Sequence, residues 1–89
     1  MKEPTFSIGI EEEYMLVDRA TRNLISHAPE SMLPECEALL QGQVAPEFLQ
    51  CQIEVGTRVC DTLEEARDDL AYLRRSVSSV ANRYDLALV

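Results

Sequence analysis

The sequence predicts an α+β fold in which an antiparallel sheet carries one long helix on a single face. Three observations support this prediction. Segments 6–17 and 47–55 show strand-like alternation, apolar residues from Leu63 to Tyr84 recur at three- and four-residue intervals, and Leu86-Ala87-Leu88-Val89 reads as the start of another strand. At 89 residues the chain is at most one domain, and a chain of this size buries about 60 to 65% of its unfolded surface. A hydrophobic fraction of 46% with three Gly and four Pro is that of a globular protein.

The first strand is expected from about Thr5 to Val17. Side chains alternate across the pleat, so Ser7, Gly9, Glu11, Glu13 and Met15 share one face, and Phe6, Ile8, Ile10, Glu12, Tyr14 and Leu16 share the other. Ionised carboxylates inside a sheet are costly unless a cation or hydrogen-bond donors compensate them, so Glu11 and Glu13 ask for a partner. Their Cα atoms lie roughly 6.5 to 7 Å apart, close enough for both to converge on a divalent cation. Oxygen-only ligands suit a hard metal. Mg²⁺ takes one or two carboxylates plus substrate phosphates, which favours a nucleotide site over a closed cage. The competing reading is an exposed strand end with ordinary solvated acids.

Asp18 to Asn23 is polar and reads as a turn, with a hairpin return through Leu24-Ile25-Ser26-His27. Met32, Leu33, Cys36, Leu39 and Leu40 then have helical spacing, Pro34 falls in the first turn where its missing N–H has no partner, and Gly42 stops the helix. In the second strand Leu49, Cys51, Ile53 and Val55 form an apolar face, while Phe48, Gln50, Gln52 and Glu54 form a mostly polar one. If this strand neighbours the first, Glu54 adds a third carboxylate to the Glu11/Glu13 face. Glu47 has the opposite parity and joins only through a bulge or from the preceding turn.

Asp61-Thr62-Leu63-Glu64-Glu65 opens the long helix, with Asp61 or Thr62 as its cap and capping-box spacing between Thr62 and Glu65. Its stripe comprises Leu63, Ala66, Leu70, Leu73, Val77, Val80 and Tyr84. That stripe is expected to cover the sheet. A homodimer seam is the competitor. An apolar strand start at the carboxyl terminus suggests that residues 1–89 form a single incomplete domain.

The 16 acids against 8 bases give a net charge of −8. Such a surface repels phosphate backbones and anionic membranes, so neither nucleic acid nor membrane is expected as a partner. No signal peptide or run of about 18 apolar residues is present, and the chain reads as cytoplasmic. Cys36, Cys51 and Cys60 form no CxxC motif, and with the lone His27 they make no convincing zinc site; buried free thiols are expected.

The segment from Phe6 to Asp18, followed by Glu47 to Asp61 and then a long helix, resembles the amino-terminal part of the carboxylate-amine ligases, the bacterial glutamate-cysteine ligase type 2 family. The likeness covers essentially the whole chain and about the first quarter of a typical member. It implies a partial glutamine-synthetase-like catalytic domain, a curved antiparallel sheet whose concave face holds Mg²⁺ and ATP. It further implies ATP-dependent joining of the glutamate γ-carboxylate to the cysteine amine through an acyl phosphate, with amino acids as the small-molecule substrates. By the same likeness Glu11, Glu13 and Glu54 are metal ligands or nucleotide-site acids, and Glu47 supplies a further carboxylate. Beyond these metal-site acids the likeness assigns no catalytic residue. Arg58 stands where a small residue or proline is expected; its fork could meet a carboxylate or phosphate, and an exposed loop arginine is the simpler reading. The segment on its own is expected to be inactive. The alternative function is a small acidic α/β interaction module that dimerises or docks through its helix stripe and sheet edge.

Overall fold

The computed structural model describes residues 7–46 and 51–89. In chain order the elements are β1 (Glu11–Asp18), α1 (Met32–Leu40), β2 (Val44–Pro46), β3 (Gln52–Gly56), α2 (Leu63–Arg83) and β4 (Leu86–Leu88). The strands form an antiparallel sheet in the order β2-β3-β1-β4. The expected α+β architecture is present, with both helices on the same face.

β1 begins at Glu11 rather than near Thr5, because its ladder partner stops there. Gly56, the last residue of β3, pairs with Glu11, and Thr57 then closes onto Ile10 through two 2.9 Å bonds, one from its N–H and one to its hydroxyl oxygen. Ile8 regains a partner only as an isolated bridge to Cys60. Thr5 and Phe6 lie outside the described residues.

The turn after β1 forms as expected, with Asp18 Oδ1 accepting from the amides of Ala20 and Thr21, each at 2.9 Å. The anticipated hairpin return is shorter than a strand: Leu24 bridges Val17 and the Ile25 amide reaches the Leu16 carbonyl at 3.1 Å. It ends there because β3 and the residue before it, Cys51, occupy the rest of that edge, the Cys51 carbonyl accepting from Leu16 N–H at 2.8 Å.

α1 carries Pro34 in its first turn and ends through Gln41 at φ 44°, whose N–H reaches the Glu37 carbonyl; Gly42 follows at φ 82°, a left-handed conformation that suits glycine. β2 is a three-residue strand that periodicity did not announce. It sits at the sheet edge, where Pro46 costs no central ladder bond. The second predicted strand is realised as β3 from Gln52, and Glu47 to Gln50 lie outside the described residues.

Thr62 caps α2, its hydroxyl accepting from Glu65 N–H at 3.1 Å while Glu65 Oε2 accepts from Asp61 N–H at 3.0 Å. Ala66, Leu70, Leu73, Val77 and Val80 are buried. The core joins Leu70, Leu73, Val77 and Val80 to Tyr14, Leu16, Ile53, Val55 and Leu86 of the sheet and to Met32, Cys36 and Leu40 of α1. The stripe thus covers the chain's own sheet, and the competing dimer seam lacks this surface. Leu63 departs from the expectation at 71% exposure; burial of the stripe begins at Ala66. Cys36, Cys51 and Cys60 are buried and unpaired. Among the described residues no helix is long and apolar enough to cross a membrane.

Leu73 is fully buried at the centre of this layer. Replacing it with alanine leaves a cavity between α2 and the sheet, and urea unfolding of Leu73→Ala is expected to show a loss of about 2 to 5 kcal/mol.

Candidate functional site

The alternation of β1 sends three consecutive acids to two environments. Glu12 shares a face with Tyr14 and Leu16, the face covered by α2, and there it is met by Arg74. Arg74 Nε donates to Glu12 Oε1 at 2.8 Å, its terminal nitrogen bonds Oε2, and the Tyr14 hydroxyl donates to Oε1 at 2.6 Å. The Arg74 guanidinium holds the Glu12 carboxyl below its usual range against the opposing effect of burial. Burial together with the neighbouring carboxylate pushes the Tyr14 hydroxyl upward. Glu12 is therefore a docking group for the helix.

Glu11 and Glu13 lie on the opposite face, and both are exposed. Register places Glu54 of β3 directly across from Glu13, and Gly56 across from Glu11. Residues opposite one another in an antiparallel pair bring their Cβ atoms to about 4.5 to 5.5 Å, so Glu13 and Glu54 form one cross-strand pair of like charge with Glu11 two residues along. Gly56 keeps the place beside Glu11 clear; a β-carbon there would lie 3.9 Å from Glu11 Cγ. Next on this face Gln52 Nε2 donates to Met15 Sδ at 3.1 Å. Neither Glu11 nor Glu13 makes an ion pair with a described residue. The condition set on Glu54 by the sequence, that its strand neighbour the first, is met.

These acids share a face without closing into a cage: among the described residues no three His, Cys, Asp or Glu side chains are grouped to hold a metal ion. The donor chemistry still fits Mg²⁺, which demands few protein ligands and retains water and phosphate oxygens. Glu47 lies outside the described residues. Arg58 is an exposed loop residue, as the simpler reading held, and its guanidinium turns toward α2, 3.6 Å from Asp69 Oδ1.

Two features escaped the sequence reading. Arg74, outside the stripe, gave no sign of its partner, although Glu12 on the apolar face of β1 already called for a cation. Asp69 did carry a signal, since it falls between Ala66 and Leu73 at helical spacing on an apolar stripe. It is the one buried charged residue among those described, at 7% exposure.

Comparison with known proteins agrees with the order of these segments. The profile of Glutamate-cysteine ligase family 2 (GCS2) matches residues 7–89. Proteins named "Putative glutamate--cysteine ligase 2" resemble the chain: that of Ruegeria pomeroyi is 54% identical over 91% of this chain and 21% of its own length. The relative from Rhodospirillum rubrum is 48% identical over 98% of this chain and 23% of its own length, and the one from Paracoccus denitrificans is 50% identical over 97% and 23%. The chain thus spans about a fifth of the length of the relatives it matches.

A depressed carboxyl in the folded state adds stability above the ordinary carboxylate pKa, and that stability is lost as the pH falls through the folded value. Glu12→Gln removes this contribution. Unfolding free energies measured between roughly pH 5 and pH 3 are expected to fall less steeply for Glu12→Gln than for wild type, the two converging at the acid end.

Proposed function

The chain belongs to glutamate-cysteine ligase family 2, and on that premise we propose that it forms the amino-terminal part of a glutamine-synthetase-like catalytic domain, contributing acids to the metal and nucleotide site of an ATP-dependent carboxylate-amine ligase. The single observation that carries this reading is the meeting of Glu11, Glu13 and Glu54 on the sheet face opposite the helices. In the proposed reaction a γ-carboxylate oxygen of glutamate attacks the terminal phosphorus of ATP with departure of ADP. The cysteine amine then attacks the acyl carbon to form the C–N bond, the acyl C–O bond breaks with its electron pair leaving on phosphate, and the amine gives up a proton to the departing phosphate or to water.

Attack of a carboxylate on a triphosphate brings like charges together, and bound Mg²⁺ would supply the positive charge that offsets this repulsion. The role of Glu11, Glu13 and Glu54 is to hold and orient that charge from a rigid strand pair. Gly56 leaves the neighbouring space clear for ligand oxygens. The chain supplies these strands only. Groups that select the acid and amine substrates belong, on this reading, to the rest of the ligase, so the chain alone is inactive. Three unpaired buried cysteines agree with a cytoplasmic place of action.

The second reading, an interaction module docking through its helix stripe and sheet edge, loses the stripe to the chain's own sheet; a different surface favours a module, since Leu39, Val59 and Tyr72 are exposed around an open groove of about 740 Å³ between α1 and the start of α2. Light scattering over a concentration series separates the two, since a concentration-dependent mass that is lost in Val59→Asp would support the module.

For the ligase reading, Mg²⁺ or Mn²⁺ is expected to raise the melting temperature of wild type. Metal at 100 times its Kd adds about 2.7 kcal/mol, and Glu11→Gln/Glu13→Gln should lose most of that response. Equal, metal-independent melting of wild type and variant would remove metal binding from this segment.

A further inference from the structure

We infer that Asp69, on the helix side of the sheet, is a positioning residue that sets the register beneath the acids of the other side. The inference rests on the ligase reading for its purpose and on this chain's own geometry for its mechanism.

Asp69 reaches from the second turn of α2 to the connection before β2 and to the one after β3. Its Oδ2 accepts from the Arg58 amide at 2.9 Å and from Gln43 Nε2 at 3.0 Å. Gln43 in turn grips Gly56 by both backbone groups: its carbonyl accepts from Gly56 N–H at 2.8 Å, and its Nε2 donates to the Gly56 carbonyl at 3.3 Å. Thr57, next along, is closed onto Ile10 by its two 2.9 Å bonds. Residues 56, 57 and 58 are therefore pinned in succession to the β2 side, to β1 and to α2.

Gly56 is the residue opposite Glu11 and lies two positions after Glu54. A one-residue slip at this point would carry Glu54 to the helix face and bring Ile53 or Val55 to the acid face. Asp69 is the anchor from outside the sheet that opposes such a slip. Both of its strong bonds use one oxygen, while Oδ1 faces the Arg58 guanidinium at the longer distance of 3.6 Å. The role is therefore geometric: it requires an acceptor atom at the Oδ2 position and no negative charge. Asparagine can provide that acceptor, whereas leucine, of similar size, cannot.

The test combines amide hydrogen exchange with Mn²⁺ binding followed by electron paramagnetic resonance, on the 89-residue chain. In Asp69→Leu, protection at the Gly56 and Arg58 amides is expected to fall while the centre of α2 stays protected, and Mn²⁺ affinity should drop by about 10- to 100-fold, as for other groups that orient metal ligands indirectly. Asp69→Asn should restore both. Should Asp69→Leu prove unfolded, Gln43→Ala removes the same grip on the Gly56 carbonyl and is expected to show the same loss at Gly56.

Unchanged protection at Gly56 and Arg58 in Asp69→Leu, or an asparagine variant as impaired as the leucine one, would overturn the inference. Lost protection with wild-type Mn²⁺ affinity would overturn it too, leaving Asp69 a purely structural residue. Failure of wild type itself to bind Mn²⁺ would count against the ligase reading, and the exchange data would still decide whether Asp69 holds the register.

Discussion

The strict two-residue period of β1 is the constraint on which the rest depends. Three consecutive glutamates cannot share an environment on a strand, so one of them must face whatever covers the sheet. Glu12 takes that place, and the guanidinium of Arg74 with the hydroxyl of Tyr14 makes it tolerable there. The same geometry frees Glu11 and Glu13 from structural duty. A helix that docks through Leu70, Leu73 and Val77 and is fixed by an ion pair at the rim leaves Glu11 and Glu13 exposed on the far side of the sheet.

Around the end of β3, polar groups do what the apolar core cannot. Apolar packing is non-directional and accepts small displacements, whereas hydrogen bonds to named backbone atoms fix a strand along its own axis. Gln43, Thr57 and Asp69 act on consecutive residues there, and Cys60 extends the line by its bridge to Ile8. The outcome is a strand pair fixed along its axis by backbone bonds between neighbouring segments and by Asp69 from α2.

Much of this was legible in residue order. The alternation of Glu11 to Val17 and of Cys51 to Val55 fixed which side chains share a face, and the α2 stripe foretold the covering layer. What the sequence could not supply was pairing. β2, three residues ending in Pro46, is too short to show a period, the return at Leu24 and Ile25 is cut short by competition with β3, and the true start of β1 is set by where its neighbour ends. Long-range partners were equally hidden: Arg74 lies 62 residues from Glu12, and no local pattern joins them. The likeness of Phe6 to Asp18 and of Glu47 to Asp61 to a ligase family added what periodicity lacks, an expectation that acids from both segments serve one site.

The open face also constrains how a triphosphate could be accepted, on the proposed reading. A chain of net charge −8 with Glu13 and Glu54 opposed across one strand pair repels an anion on approach. At about 4 Å, two unit charges interact by about 4 kcal/mol at an effective dielectric of 20, and the sign here is unfavourable for acid against phosphate. On the proposed reading a divalent cation would have to reach this face before nucleotide or together with it. On that reading, the acids that would repel phosphate alone would favour phosphate carrying a metal, so affinity for nucleotide would be gated by the cation and not by the strands themselves.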